Sequence, residues 1–256
     1  MKVGIKTYAD ERGYNYIPKI IDYVDFIEIL PLPDNGIYKN YADFDTEIRI
    51  HAPHQGQGAN PADKNAVKRT MQCMKVAIEA ADLFDSKTIV VHPGVYEGVG
   101  SAMRAIDFLK QFNDKRFIIE NLPAECSRQR ELGSTAEEIE PFLKSLDCGM
   151  CLDFGHASIT ERTSTKDYKQ IITDFLKFNP KYFHIMGGSI KENIDHKNLF
   201  YGDFNIEFFK QCIPNDAYVC LETPHDAEMQ KKEIEYIKKG KSKRNALSVL
   251  NFWRKP

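Results

Sequence analysis

Short runs of apolar residues alternate along the chain with longer stretches in which apolar residues recur every three or four positions. The short runs predict β-strands, and the longer stretches predict amphipathic helices. The predicted strands cover residues 1–7, 25–30, 47–52, 87–91, 116–119, 149–152, 182–185 and 218–221. Helices are expected between them and after the last one. The pattern therefore indicates about eight units of a strand followed by a helix.

The stretch after the third predicted strand shows the helical pattern well. Its apolar residues share one face at helical spacing: Val67, Met71, Met74, Ile78 and Ala81. Asn60 followed by Pro61 predicts where this helix begins, because a capping residue and then proline are favoured at a helix start.

The alternation of strands and helices continues without a linker or a low-complexity segment. This order favours parallel strands joined by right-handed crossovers. Eight such units in 256 residues match the size of a (β/α)8 barrel, so we predict a single α/β TIM-barrel domain over residues 1–256. An open, doubly wound sheet is the alternative. It would ordinarily carry a glycine-rich phosphate loop after the first strand, where this chain has Thr7-Tyr-Ala-Asp10.

Composition and charge narrow the class of protein. Apolar residues make up 42% of the chain, which is enough for one large core. The formal net charge of −2 gives the whole chain no attraction to nucleic acid or to an anionic membrane. No apolar run approaches the roughly 20 residues of a membrane span. Because we find no signal peptide, and several of the six cysteines lie within apolar patterns, we expect a cytoplasmic protein with reduced thiols.

Residues of the types that bind metals stand at the ends of six successive predicted strands. In chain order they are His51, His92, Glu120, Asp153, His184 and Glu222, with His156 three residues beyond Asp153. The strand ends of a closed barrel form one ring, so these side chains would converge on a shared mouth. Burying them together is costly unless cations lie between them. Nitrogen and oxygen ligands without thiolate suit zinc, manganese or a similar divalent ion.

Six short motifs, in this order, resemble the strand ends of the xylose isomerase-like TIM-barrel superfamily. They are His51-Ala-Pro-His54, Val91-His92-Pro-Gly94, Ile119-Glu120-Asn121-Leu-Pro, Cys151-Leu-Asp153-Phe-Gly-His156-Ala, Phe183-His184 and Leu221-Glu222-Thr. The resemblance runs from about residue 45 to about residue 225. This superfamily contains sugar-phosphate isomerases and epimerases and also endonuclease IV, a zinc-dependent AP endonuclease. The ordered set indicates the superfamily more strongly than it indicates a reaction.

The resemblance to the epimerases implies one divalent ion held by Glu120, Asp153, His184 and Glu222. It also implies that Glu120 and Glu222 lie on opposite faces of a sugar. One of them would remove the proton next to the carbonyl, and the other would return it. The metal would polarise the carbonyl, and His156 would bind a substrate oxygen.

The resemblance to endonuclease IV implies the same four ligands and two more. His51 and His92 would complete the ligand set of a second ion, with Glu120 bridging two zincs. Water activated between the metals would attack a phosphodiester in line. The superfamily as a whole therefore implies one to three zinc or manganese ions per chain.

A third zinc of the endonuclease IV type would need His156, an aspartate and a further histidine. Asp195 matches the aspartate. The expected histidine falls on Lys197 or Asn198, so His196 is the candidate substitute.

Two departures from the endonuclease pattern bear on DNA. Endonuclease IV carries an aromatic–aliphatic pair that wedges into the base stack, where this chain has His54-Gln55. The loop over residues 31–38 also lacks the arginine expected to enter the duplex. Together with the mildly acidic chain, these departures argue against duplex DNA as the substrate.

Three further residues are candidate substrate contacts: His54, Arg128 and Arg130. The arginines follow the strand that ends in Glu120 and could reach a substrate phosphate, although solvated loop arginines are the alternative. Glycines at 187 and 188 either let backbone amides approach a phosphate or sugar hydroxyl, or form a plain flexible loop.

From the sequence we favour a divalent-metal-dependent isomerase or epimerase acting on a small sugar or sugar phosphate, with Glu120 and Glu222 as the acid–base pair. A zinc-dependent phosphodiesterase of the endonuclease IV type is the first alternative. A barrel that binds a sugar without turnover is the second. No membrane partner is expected.

Overall fold

Eight parallel strands close into a barrel in the computed structural model, which describes residues 1–239. The strands are β1 (Lys2–Tyr8), β2 (Phe26–Leu30), β3 (Glu47–His51), β4 (Ile89–Val91), β5 (Phe117–Glu120), β6 (Gly149–Asp153), β7 (Tyr182–Ile185) and β8 (Tyr218–Leu221). Each strand pairs with its neighbours in sequence, and β1 pairs with β8. The predicted (β/α)8 barrel is confirmed. Its predicted extent to residue 256 includes residues outside those described.

Helices connect most of the strands. They are α1 (Glu11–Tyr16), α2 (Val67–Leu83), α3 (Ser101–Lys110), α4 (Ala136–Leu146), α5 (Phe154–Thr160), α6 (Tyr168–Leu176), α7 (Ile206–Cys212) and α8 (Ala227–Lys238). A 3-10 turn at Ile37–Asp43 lies between β2 and β3. Within the described residues, no helix is both long and apolar enough to cross a membrane.

Two short antiparallel hairpins lie beyond the carboxyl ends of barrel strands. One pairs Glu125–Cys126 with Gln129–Arg130 after β5. The other pairs Gly187–Ser189 with Ile194–Lys197 after β7. Both hairpins therefore belong to the end of the barrel at which the predicted metal ligands lie.

The predicted start of the helix after β3 is wrong by several residues. Helix α2 begins at Val67, and Ala66 precedes it without a side-chain cap. The Asn60 side chain instead accepts hydrogen bonds from the backbone amides of Ala62 and Val95, each at 3.1 Å. Asn60 thus ties a turn to the loop after β4, a long-range role that its place before Pro61 does not reveal.

A stack of three buried phenylalanines joins a helix, the start of another helix and a strand. Phe209 of α7 lies 4.8 Å from Phe154 between ring centroids, and Phe154 lies 5.6 Å from Phe183 of β7. All three side chains are fully buried. Since Phe154 directly follows Asp153, this stack fixes the point at which β6 passes into α5.

Removing the outer ring of this stack should destabilise the barrel. We expect Phe209→Ala to lower the free energy of unfolding by about 3–5 kcal/mol, because a large buried ring leaves a cavity. Phe200→Ala is the control. Phe200 is 54% exposed, so the loss should stay below about 1 kcal/mol. Urea denaturation followed by circular dichroism measures both, and equal losses would contradict a bracing role for the stack.

Candidate metal centre

The side chains at the carboxyl ends of six strands converge at one mouth of the barrel. Three groups have ligand atoms that all lie within 4.8 Å of one another. They are Glu28, His51, His184 and Glu222; His51, His92 and Glu120; and Glu120, Asp153, His184 and Glu222. Except for the half-buried His92, every member is buried. The six strand-end residues predicted to meet do so, and Glu28 joins them.

Glu120 lies between two of these groups and belongs to both. Its Oε2 is 3.0 Å from His51 Nε2 and 3.1 Å from His92 Nε2. Its Oε1 is 3.2 Å from His184 Nδ1. The two oxygens of one carboxylate therefore face different sets of ligands. A carboxylate that bridges two cations needs this arrangement.

Two imidazoles have their second ring nitrogen occupied by an oxygen. His51 Nδ1 lies 2.8 Å from the backbone oxygen of Ala52, and His184 Nε2 lies 3.1 Å from Glu28 Oε2. When those nitrogens carry the protons, His51 Nε2 and His184 Nδ1 keep lone pairs directed at Glu120. Metal-binding histidines are commonly oriented by such partners.

Glu28 was missed by the sequence analysis. It lies within β2, the strand Phe-Ile-Glu-Ile-Leu, and its side chain is fully buried inside the barrel. The Tyr182 hydroxyl donates to Glu28 Oε2 at 2.6 Å, and His184 contacts the same oxygen. Although burial opposes ionisation, His184, His51 and Lys6 lower the pKa of Glu28. A charged residue in the middle of an apolar strand was the available signal.

His92 is oriented by a chain of side chains that the sequence analysis also missed. Its Nδ1 lies 3.3 Å from Gln55 Oε1, and the Gln55 amide donates to Glu131 Oε1 at 3.1 Å. Glu131 is only 1% exposed, and this burial raises its pKa to about 7. Burial also lowers the pKa of His92 to about 4, so the ring is neutral and able to act as a ligand.

Three buried atoms of the ligand groups have no hydrogen-bond partner, and this supports the fit of a cation. They are Glu28 Oε1, His92 Nε2 and Asp153 Oδ2. Asp153 Oδ1 accepts from the His156 amide at 2.7 Å, whereas Asp153 Oδ2 has no partner. His92 Nε2 makes no hydrogen bond although Glu120 is near. Burial, Glu120 and Glu222 raise the pKa of Asp153 to about 6. These nitrogen and oxygen donors suit a divalent ion such as zinc or manganese.

The residues predicted for a third ion are near one another but are engaged otherwise. His156 Nδ1 lies 3.0 Å from the Asn121 backbone oxygen, and Asp153 and Glu120 raise the pKa of His156 to about 9 in spite of its burial. His196 lies 2.8 Å from Asp195 and 3.1 Å from Glu222. None of the three ligand groups found among the described residues contains His156, Asp195 or His196. The third ion stays a prediction.

A cavity of about 930 Å³ opens beside the centre, between the ends of β1 and β8. His54 lines this cavity, and its ring stacks on His92 with the centroids 4.5 Å apart. Lys6 of β1 also lines it and donates to Glu222 Oε1 at 2.8 Å. Lys6 was missed by the sequence analysis because nothing near it in sequence marks it.

The two predicted arginines are not brought to this cavity. Arg130 donates to Glu138 at 2.7 Å, and its guanidinium lies over the Tyr96 ring. Arg128 occupies the exposed tip of the same hairpin with a φ of +66°. Neither is among the residues that line the cavity. Their role as substrate contacts stays a prediction.

The model of a known family, described as a xylose isomerase-like TIM barrel, matches residues 9–240. The chain belongs to the xylose isomerase-like TIM-barrel family. This confirms the resemblance found in the sequence motifs. Members of this family are enzymes, among them epimerases and endonuclease IV.

The proteins similar to this chain include both a probable endonuclease and an epimerase-like protein. The probable endonuclease 4 of Bacillus licheniformis is 22% identical over 235 residues, which cover 81% of this chain and 76% of that one. The structure of a D-tagatose 3-epimerase-like protein matches with a TM-score of 0.72 and 20% identity over 98% of both chains. The uncharacterized protein MJ1311 of Methanocaldococcus jannaschii is 30% identical over 132 residues, 45% of this chain, and the match spans under half, 43%, of that relative's length.

Glu28 should control metal affinity through His184. We expect Glu28→Gln to weaken zinc binding by about 10–100-fold, the usual cost of losing the partner that orients a ligating histidine. Competition with a chromophoric chelator measures this affinity. Glu47→Gln is the matched control, since Glu47 starts the next strand at the opposite end and pairs with Lys2. Equal affinities in the two variants would remove Glu28 from this role.

Glu131 should make stability depend on pH. Its folded pKa of about 7 exceeds the ordinary value of 4.5, so the folded state holds the proton more tightly. The stability this contributes is complete below pH 4.5 and is lost as the pH rises through 7. Urea denaturation in chelator should therefore show wild type losing stability between pH 5 and pH 8 relative to Glu131→Gln. The exposed Glu125→Gln variant should follow wild type, and a pH-independent difference would contradict the assignment.

Proposed function

We propose that this protein is a hydrolase that uses two divalent ions to cleave a phosphoester bond. The main support for this proposal is the position of Glu120. One of its carboxylate oxygens faces His51 and His92, and the other faces His184. Two ions that share a carboxylate are typical of enzymes that act on phosphate esters. A single-ion isomerase needs no histidine pair on the far side of Glu120.

The ligand sets follow from the two groups that share Glu120. His51, His92 and Glu120 would hold one ion, and Glu120, Asp153, His184 and Glu222 would hold the other. When bound, such ions supply Lewis-acid stabilisation of the charge on a reacting phosphoryl group. The protein's own task would be to keep Glu120 deprotonated between the two ligand sets. Although burial opposes this, His184 and His92 hold the pKa of Glu120 well below its usual range.

The proposed substrate is a small phosphoester and not duplex DNA. The two residues at the wedge positions are turned toward the centre, since His54 stacks on His92 and Gln55 bonds to both His92 and Glu131. They are therefore poorly placed to enter a base stack. The similarity to a probable endonuclease 4 supports cleavage of a phosphoester bond. At 22% identity, that similarity is no evidence that the two proteins share a substrate.

The isomerase or epimerase favoured by the sequence is the second candidate. It is supported by the complete group of Glu120, Asp153, His184 and Glu222, which supplies two glutamates and one ion site. The fold also matches that of a D-tagatose 3-epimerase-like protein. In this reaction Glu120 and Glu222 would exchange the proton next to a sugar carbonyl. His51 and His92 would then bind no ion.

Counting metals and assaying both reactions separates the two candidates. We expect wild type to bind two zinc ions and His51→Ala/His92→Ala to bind one, by mass spectrometry of the eluted metal. Hydrolysis of bis(p-nitrophenyl) phosphate should fall by at least ~100-fold in the variant, because one of the two Lewis acids is lost. His225→Ala is the control for the metal count and should bind two zinc ions, since His225 belongs to none of the three ligand groups.

The contrary result is equally specific. One zinc in both proteins, with exchange of a carbon-bound proton of a ketose into deuterated water, would support the epimerase instead. In that case Glu222→Gln should abolish the exchange while the fold is retained.

A further inference from the structure

We propose that Lys6 forms an anion subsite that binds a phosphate group of a small substrate beside the metal centre. This inference rests on the proposed function for the position of the metals, and it adds a residue and a ligand chemistry. Lys6 lies on β1, next to Glu28 in the register of β1 and β2. Its side chain is 16% exposed, and that exposed part lines the cavity of about 930 Å³.

The contacts of Lys6 leave its ammonium group able to donate hydrogen bonds to a ligand. Its ammonium group has three donors, and the hydrogen bond to Glu222 Oε1 at 2.8 Å uses one of them. Glu222 is further held by His184 at 2.6 Å and by His196 at 3.1 Å. Because other groups also hold this carboxylate, Lys6 is not needed as its only partner.

Charge balance gives Lys6 a purpose beyond neutralising a carboxylate. Four carboxylates are buried in the ligand groups: Glu28, Glu120, Asp153 and Glu222. Two divalent ions would balance these four charges. Lys6, whose ammonium group lies 2.8 Å from Glu222 Oε1, then adds one positive charge in excess. An excess positive charge beside a cavity favours an anionic ligand.

The volume and the lining of the cavity indicate which class of anion could bind there. Its volume of about 930 Å³ falls within the range of small-molecule sites. Arg12 and Lys19 also line it, and Tyr8 and Tyr16 supply aromatic surface. A phosphate next to Lys6 with a polar ring or chain behind it fits these walls. We therefore assign the ligand as a small phosphate ester, with the charge of the phosphate as the recognised feature.

Binding measurements test this without relying on turnover. The probes are inorganic phosphate, ribose 5-phosphate and uncharged ribose, titrated calorimetrically into zinc-loaded protein whose zinc content is measured in each sample. Lys6→Gln keeps a donor for Glu222 and removes the charge, and Lys6→Arg keeps the charge. Lys115→Gln is the control, because Lys115 pairs with Asp147 and does not line the cavity. We expect Lys6→Gln to lower the affinity for both inorganic phosphate and ribose 5-phosphate by at least ~10-fold, because charge-assisted hydrogen bonds are stronger than neutral ones.

The remaining outcomes are specific. Lys6→Arg and Lys115→Gln should bind both phosphates within about 3-fold of wild type, and ribose should bind all proteins alike. Tighter binding of ribose 5-phosphate than of inorganic phosphate would indicate the ester as the ligand, whereas equal binding would indicate free phosphate at the same subsite. Phosphate binding to Lys6→Gln as tight as to wild type, at equal zinc content, would overturn the proposal and leave Lys6 as a counter-ion of Glu222.

A wild-type measurement covers the case in which Lys6→Gln does not fold. Inorganic phosphate should shift the 15N resonance of Lys6 Nζ, and an unchanged resonance at saturating phosphate would overturn the proposal. Failure of the phosphoester hydrolysis assay leaves these binding results unaffected. A negative binding result likewise leaves the metal count and the hydrolysis assay to stand alone.

Discussion

The mutual repulsion of buried carboxylates is the constraint on which the rest of the site depends. Glu28, Glu120, Asp153 and Glu222 are buried in a closed barrel, where water screens their charges poorly. Imidazoles, one ammonium group and the expected cations offset the repulsion between these carboxylates. Each imidazole in turn needs a hydrogen-bond acceptor at its second ring nitrogen. Much of the surrounding structure serves that need, from the Glu28 carboxylate within the barrel to the Gln55 amide at its mouth.

Most of the barrel and most of the primary ligands could be predicted from the sequence. Strands of a parallel barrel show as short apolar runs, and the geometry of closure brings their carboxyl ends into one ring. A histidine or carboxylate at the end of such a run is therefore placed by topology alone. His51, Glu120 and His184 were found in this way, because their position depends on where a strand ends and hardly on distant side chains.

The residues behind and beside the ligands could not be predicted in this way. Lys6 and Glu28 lie within strands, and the direction they face depends on the register between β1 and β2. Glu131 and Gln55 come from loops that meet only in the folded chain. The pair Gly187 and Gly188 illustrates the limit, since both pack closely against backbone at Asn198 and Ile194, a third explanation that the local sequence did not suggest.

The closure of the barrel has a consequence for the order in which the ligand groups can assemble. The group formed by His51, His92 and Glu120 lies within the first half of the chain, whereas each of the other two groups requires Glu222. Lys6 and Glu222 are 216 residues apart in sequence and meet only when β8 joins β1. A nascent chain on the ribosome thus carries the first ligand set long before the last strand emerges. The groups that contain Glu222 can therefore assemble only after β8 has joined the barrel.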